Sequence, residues 1–204
     1  LTFIIIGAVF DFFDGMCARV LNVSSPIGKE LDSLADDITF GLAPSAIVFS
    51  FLMEQNWTGV MQGNRMLFLL PFLAFVMAAF SALRLAKFNL DERQALGFIG
   101  LPTPANALFW GSLIVGAGDW MKSAPFISAN LSLIILGGIF ISCWLLIAEI
   151  PMFALKFKTW GWKGNEVKYI FLLTCIPMLA FLQVSGLAAV IAWYIILSVC
   201  TQRK

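Results

Sequence analysis

Seven long apolar stretches, Leu1–Leu21, Leu34–Met53, Met66–Phe88, Thr103–Ala117, Ala129–Phe157, Val167–Gln183 and Leu187–Cys200, follow one another with short polar connections. No other feature narrows the fold as far. A backbone in hydrocarbon cannot leave its N–H and C=O groups unpaired, and a helix pairs them within itself. About 20 apolar residues cross the hydrocarbon layer, so the 204-residue chain has room for roughly seven spans and none for a separate soluble domain. The expected fold is all-α, a polytopic transmembrane helical bundle forming a single domain over residues 1–204. Val184, Ser185 and Gly186 suit a tight helical hairpin. Glu149 and Pro151 predict a kink or an early end to the fifth stretch. The chain opens in mid-run at Leu1, so a further helix is expected before it.

The few charges are unevenly placed. With seven alternating spans, eleven of the thirteen Lys and Arg residues fall on one side: Arg19, Lys29, Arg84, Lys87, Arg93, Lys156, Lys158, Lys163, Lys168, Arg203 and Lys204. Only Arg65 and Lys122 fall on the other. Cationic loops stay in the cytosol, which orients the chain in a cytoplasmic (inner) membrane. Lys156, Lys158, Lys163 and Lys168 would attract anionic lipid, and Trp160 and Trp162 would sit in an interfacial belt. No basic-aromatic patch suggests nucleic acid. Histidine is absent, and the four cysteines are far apart in apolar surroundings, so neither a histidine mechanism nor a Cys-based metal site is expected.

Carboxylates are concentrated where an apolar segment should have none. Six of the twelve acidic residues lie between Asp11 and Asp37. Asp11 and Asp14 are three apart, and Asp32 and Asp36 four apart, so each pair shares a helix face. Converging, they form a set of four anions whose natural counter-charge is a hard divalent cation, Mg2+ or Mn2+. Gly15 clears space for a ligand, Ala18 is small, and Arg19 offers a planar fork for phosphate oxygens. Gly28 would turn the loop leading into the second helix. Asp11 lies about 12 Å of helix before Arg19, so the site is sunk below the membrane surface.

The pattern Asp11, Asp14, Gly15, Ala18, Arg19, eight residues, Gly28, Asp32, Asp36 resembles the signature of the CDP-alcohol phosphotransferases, D-x-x-D-G-x-x-A-R-x8-G-x-x-x-D-x-x-x-D, at every position. The resemblance implies a six-helix core, here lacking its first helix and carrying two extra C-terminal helices, assembled as a homodimer. It implies a dinuclear site of two divalent cations held by Asp11, Asp14, Asp32 and Asp36, with Asp36 also the base. Gly15, Ala18, Arg19 and Gly28 would contact the CDP part of the lipid substrate.

Three further stretches, DSLADDITFGLAPS (Asp32–Ser45), ALRLAKFN (Ala82–Asn89) and GLPTPANA (Gly100–Ala107), resemble the members of this family that use L-serine as acceptor. CDP-diacylglycerol and serine are then the expected substrates, giving phosphatidylserine and CMP. A serine site must satisfy a carboxylate and an ammonium group. Arg84, Lys87 and Asn89 are candidates for the first and Asp37 for the second, with Glu149 a weaker candidate. For Arg84 and Lys87 the plainer alternative is a cation reaching to the membrane surface, and for Pro102 and Pro104 it is a helix start. Two other readings stay open: the same chemistry on glycerol 3-phosphate or inositol phosphate, and a cation-coupled transporter with broken, repeated helices.

Overall fold

The computed structural model describes residues 1–21, 25–54, 65–91, 98–123, 125–153, 161–162 and 165–201, and does not extend to the side chains of residues 19, 65–68, 98 and 125–129. Arg93, Lys156, Lys158, Trp160, Lys163, Arg203 and Lys204 lie outside the described residues.

Every expected apolar stretch contains helix, but the boundaries move for identifiable reasons. Helix α1 is Thr2–Leu21. Helix α2, Pro26–Asp36, begins eight residues before the apolar run at Leu34, inside what the sequence presents as a polar connection. Ser25 caps it by accepting the Gly28 N–H at 3.0 Å, and Pro26 occupies the first helical position, where its missing N–H costs nothing. Gly28 is therefore a residue of the first helical turn and does not turn a loop, which corrects that expectation. The helix then widens into a π-helical turn, Asp37–Leu42, before continuing as α3, Ala43–Met53.

The third stretch is divided. Arg65–Phe75 is 3-10 helix with Pro71 inside it, and α4, Val76–Leu90, follows. Helix α5 is Thr103–Ser123 and α6 is Pro125–Ile147. The fifth stretch ends before Glu149, as the proline predicts. Pro151–Met152 (β2) instead pairs antiparallel with Phe98–Ile99 (β1), a two-residue ladder the sequence did not announce. Gly100 has φ +77°, and a Cβ there would lie 2.9 Å from the Leu146 carbonyl oxygen, so this turn needs glycine. The Leu101 N–H donates to the Leu145 oxygen at 2.9 Å, pinning the start of α5 to the end of α6.

Helices α7, Glu166–Leu182, and α8, Gly186–Thr201, form the expected hairpin around Gln183–Ser185. Gln183 takes the positive φ of 49°, while Gly186 lets the two helices approach: a Cβ there would lie 2.7 Å from the Met178 oxygen.

Four described stretches are long and apolar enough to cross a membrane: Pro26–Met53, Leu69–Leu90, Asn130–Ile147 and the hairpin Glu166–Thr201. The chain is an integral membrane protein. Its outer surface is apolar, with Phe3, Leu90 and Phe181 each 86 % exposed, as a surface in contact with lipid must be. The core joins Val48, Phe51 and Leu52 of α3, Met77 of α4, Trp110 of α5 and Ile139 of α6. The one polar group of that Trp is satisfied, its Nε1–H donating to Ser142 Oγ at 2.9 Å.

Candidate functional site

Helix α1 carries Ile4, Gly7, Ala8, Asp11 and Gly15 along one face. Ile4 is buried against Phe40 and Ala107, which holds that face to the π turn and to α5. At Gly7 the helices are so close that a Cβ would overlap the Thr39 methyl group. One turn onward from Gly7 is Asp11, and three residues back from Thr39 is Asp36. The close crossing thus brings carboxylates of two helices to one place. Gly7→Val should push α1 away from the π turn and, by misplacing Asp11, lower any turnover that depends on the carboxylate cluster at least about tenfold, while the protein still folds. Measuring activity and circular dichroism on the purified variant checks this, and wild-type rates would contradict it.

Asp11, Asp32 and Asp36 each offer a carboxylate oxygen, and these oxygens lie within 4.8 Å of one another. Asp11 and Asp36 are half-buried and Asp32 is exposed. Asp14, expected as a fourth member, is exposed and stands outside that set, yet its charge acts on all three. At about 5 Å and an effective dielectric near 20, each pair of carboxylates repels by roughly 3 kcal/mol. Among the described residues the only cation coupled to the set is Arg84, through Asp36. Converging hard oxygens with excess negative charge fit a divalent cation.

Among the flanking signature residues, Gly15 faces open space. A Cβ on Gly15 would meet nothing within 4 Å, so a ligand can approach the backbone there. Ala18 is exposed one turn further along α1, and the Arg19 side chain lies outside the described residues. Gly28 sits in the first turn of α2, where a Cβ would lie 2.8 Å from Ser25 Oγ.

The four acceptor candidates divide. Arg84 does not reach for the surface: it is 7 % exposed, its Nε and Nη2 have no hydrogen-bond partner, and its guanidinium lies 5.1 Å from the Phe88 ring centroid. Asp37 has an enclosed, unpartnered Oδ1. Lys87 is exposed and donates to the Ile147 oxygen at 3.4 Å, lining a small cleft with Arg84, Asp91 and Glu149. Asn89 is engaged elsewhere. Its side-chain amide donates to Ser33 Oγ at 2.8 Å, and its backbone carbonyl oxygen accepts from Lys29 Nζ at 3.3 Å, bolting α4 to α2.

Sequence reasoning passed over Ser81, Thr103 and Asn106, which are fully buried and polar. A signal was present, since each is a polar residue in an apolar helix beside or within a quoted stretch.

The sequence pattern of the CDP-alcohol phosphatidyltransferase family matches residues 1–201. Three similar proteins are named CDP-diacylglycerol–serine O-phosphatidyltransferase. The one from Bacillus subtilis (strain 168) is 42 % identical over 106 residues, covering 50 % of this chain and 52 % of its own. The one from Helicobacter pylori (strain J99) is 31 % identical over 171 residues, covering 83 % and 66 %. The one from Saccharomyces cerevisiae is 40 % identical over 135 residues, covering 61 % and 45 %. The chain therefore spans about half to two thirds of the length of these relatives. With the family's sequence pattern running through nearly all of its length and carboxylates of its signature gathered between two helices, this chain belongs to the CDP-alcohol phosphatidyltransferase family.

Proposed function

We propose that the protein transfers the phosphatidyl group of CDP-diacylglycerol to the hydroxyl of L-serine, giving phosphatidylserine and CMP. The observation that carries the reading is the convergence of Asp11, Asp32 and Asp36 beside the open space at Gly15. The names of the similar proteins support serine as acceptor. Family membership favours a transferase over a carrier.

Asp11, Asp32 and Asp36, joined by Asp14 from the next turn of α1, would hold two divalent cations, Mg2+ or Mn2+. When bound, these neutralise the pyrophosphate and stabilise the CMP leaving group. Arg19 contacts the CDP phosphates, and Gly15, Ala18 and Gly28 keep room for the nucleotide. Arg84 receives the serine carboxylate and Asp37 its ammonium, which orients the hydroxyl toward Asp36. Asp36 accepts the hydroxyl proton as the serine oxygen bonds to the lipid-side phosphorus and the phosphorus–oxygen bond to CMP breaks. The proton then passes from Asp36 to water. An aspartate is a weak base for an alcohol, so the proton moves late, when the oxygen is already bonding to phosphorus. The excess of Lys and Arg on one side supports a cytosol-facing site, and the family resemblance supports a homodimer.

The deciding experiment is an acceptor panel with purified protein and CDP-diacylglycerol, following CMP. Serine should be preferred over glycerol 3-phosphate, inositol and inositol phosphate; preference for any other acceptor overturns the assignment. Arg84→Ala should raise the KM for serine about tenfold or more while leaving that for CDP-diacylglycerol within about twofold, since it removes a charged hydrogen-bonding partner. An unchanged serine dependence would rule out the role given to Arg84.

A further inference from the structure

Toward the carboxylate cluster the bundle interior changes character within one helical turn. Val48 of α3, Met77 of α4 and Trp110 of α5 form one apolar layer, none more than 2 % exposed. One turn nearer the cluster, on the same helix faces, stand Ser45, Ser81 and Asn106, all three at 0 % exposure. One more turn on from Ser81 and Asn106 come Arg84 and Thr103, and two turns on from Ser45, past Gly41, comes Asp37. Three close approaches occur among these segments. Phe40 packs with Ala107, a Cβ on Gly41 would lie 3.0 Å from Ser81 Cβ, and that same Cβ would overlap the Asp37 carboxylate.

Ser45 is satisfied, donating to the Gly41 oxygen at 2.7 Å. The others are not. Ser81 Oγ, both amide atoms of Asn106, Thr103 Oγ1, Arg84 Nε and Nη2, and Asp37 Oδ1 are enclosed without a hydrogen-bond partner. Among the described residues only Ser198 Oγ, elsewhere in the bundle, shares that condition. Enclosed polar groups give up hydration and receive nothing in return. Their concentration in the turns of three helices that lead toward the carboxylates points to a ligand that supplies the partners.

The residues also indicate its chemistry. An anionic group (Asp37) and a cationic one (Arg84) are joined by a hydroxyl and an amide that can each donate and accept. A phosphorylated alcohol would bring its negative charges against Asp37 with a single arginine to offset them. A compact molecule with one ammonium and one carboxylate matches both charges.

We propose that Ser81 and Asn106 are specificity-determining residues of the acceptor subsite, the neutral members of a buried polar set with Asp37 and Arg84 that takes a compact zwitterionic amino alcohol in preference to a phosphorylated one. The inference rests on the transferase reading above and adds the residues that choose the acceptor.

The test uses the full chain in lipid nanodiscs, following initial rates of CMP release with serine varied at saturating CDP-diacylglycerol. Ser81→Ala and Asn106→Ala should each raise the serine KM about tenfold, the loss expected for a hydrogen bond to a charged group. The KM for CDP-diacylglycerol should stay within twofold. Gly41→Ala, which removes no polar group but intrudes on Asp37, should raise the serine KM in the same way. Melting temperature separates this from a structural role: Ser81→Ala deletes an unpartnered group and should not lower it, and serine should raise it in the wild type more than in the variant. A serine KM unchanged in Ser81→Ala and Gly41→Ala overturns the proposal, even if Asn106→Ala fails to fold. Failure of the transferase reading itself would show in the wild type, as absence of serine-dependent CMP release.

Discussion

Asp36→Asn should lower serine-dependent CMP release by at least about a hundredfold, the span that a positioned general base contributes. The substitution keeps the side chain's size and one oxygen but removes its negative charge. Asp36 is the member of the cluster that joins the two halves of the site: its oxygen lies with those of Asp11 and Asp32, and its charge couples to Arg84 on α4. A metal-holding role and a base role differ in one measurable respect. Loss of a ligand weakens cation binding, so activity of Asp11→Asn should partly recover as Mg2+ or Mn2+ is raised. Loss of the base lowers kcat at saturating cation and does not recover. Near-normal turnover of Asp36→Asn would remove it as base.

Chelation of divalent cations should abolish turnover, and Mg2+ or Mn2+ should restore it while monovalent salt does not. The reason is the uncompensated charge of the cluster. Three carboxylates with oxygens within 4.8 Å of one another repel by several kcal/mol in total. A diffuse monovalent atmosphere screens exposed charges but does not bridge them, whereas a divalent ion accepts oxygens from several carboxylates at once. A cation binding only the folded state should also stabilise it, by about 2.7 kcal/mol at a concentration a hundred times its Kd. A thermal melt with and without Mg2+ reads this independently of activity. Full activity in excess chelator would defeat the proposed metal role.

Much of the site was legible because helical spacing is a local rule. Asp32 and Asp36 share a face by virtue of being four residues apart, and once α2 forms, nothing distant changes that. The apolar helices were legible for a similar reason, since hydrocarbon permits little else. Boundaries were less so. Ser25 and Pro26 start α2 inside a stretch that composition marks as polar connection, because capping satisfies backbone donors that hydrophobicity does not register. The pairing of β1 with β2 joins segments about fifty residues apart, beyond the reach of any local pattern.

Burial is where sequence and structure part most clearly. Lys87 and Arg84 look alike in the sequence, two cations near the end of one helix, yet Lys87 is exposed and Arg84 is enclosed with unmet donors. Asn89 looked equally suited to a ligand and is taken up by Ser33. Ser81 and Asn106 gain their interest only from being sealed in without partners.

The amino-acid sequence by itself determined a helical membrane protein with carboxylates paired at helical spacing, because hydrophobic length and side-chain periodicity act within single segments. Only the tertiary structure decided that Asp11 meets Asp32 and Asp36 while Asp14 stands aside, and which buried polar residues are left unpaired. Those outcomes depend on how closely two helices cross at Gly7 and Thr39 and on what neighbouring helices enclose, and packing between distant segments sets both.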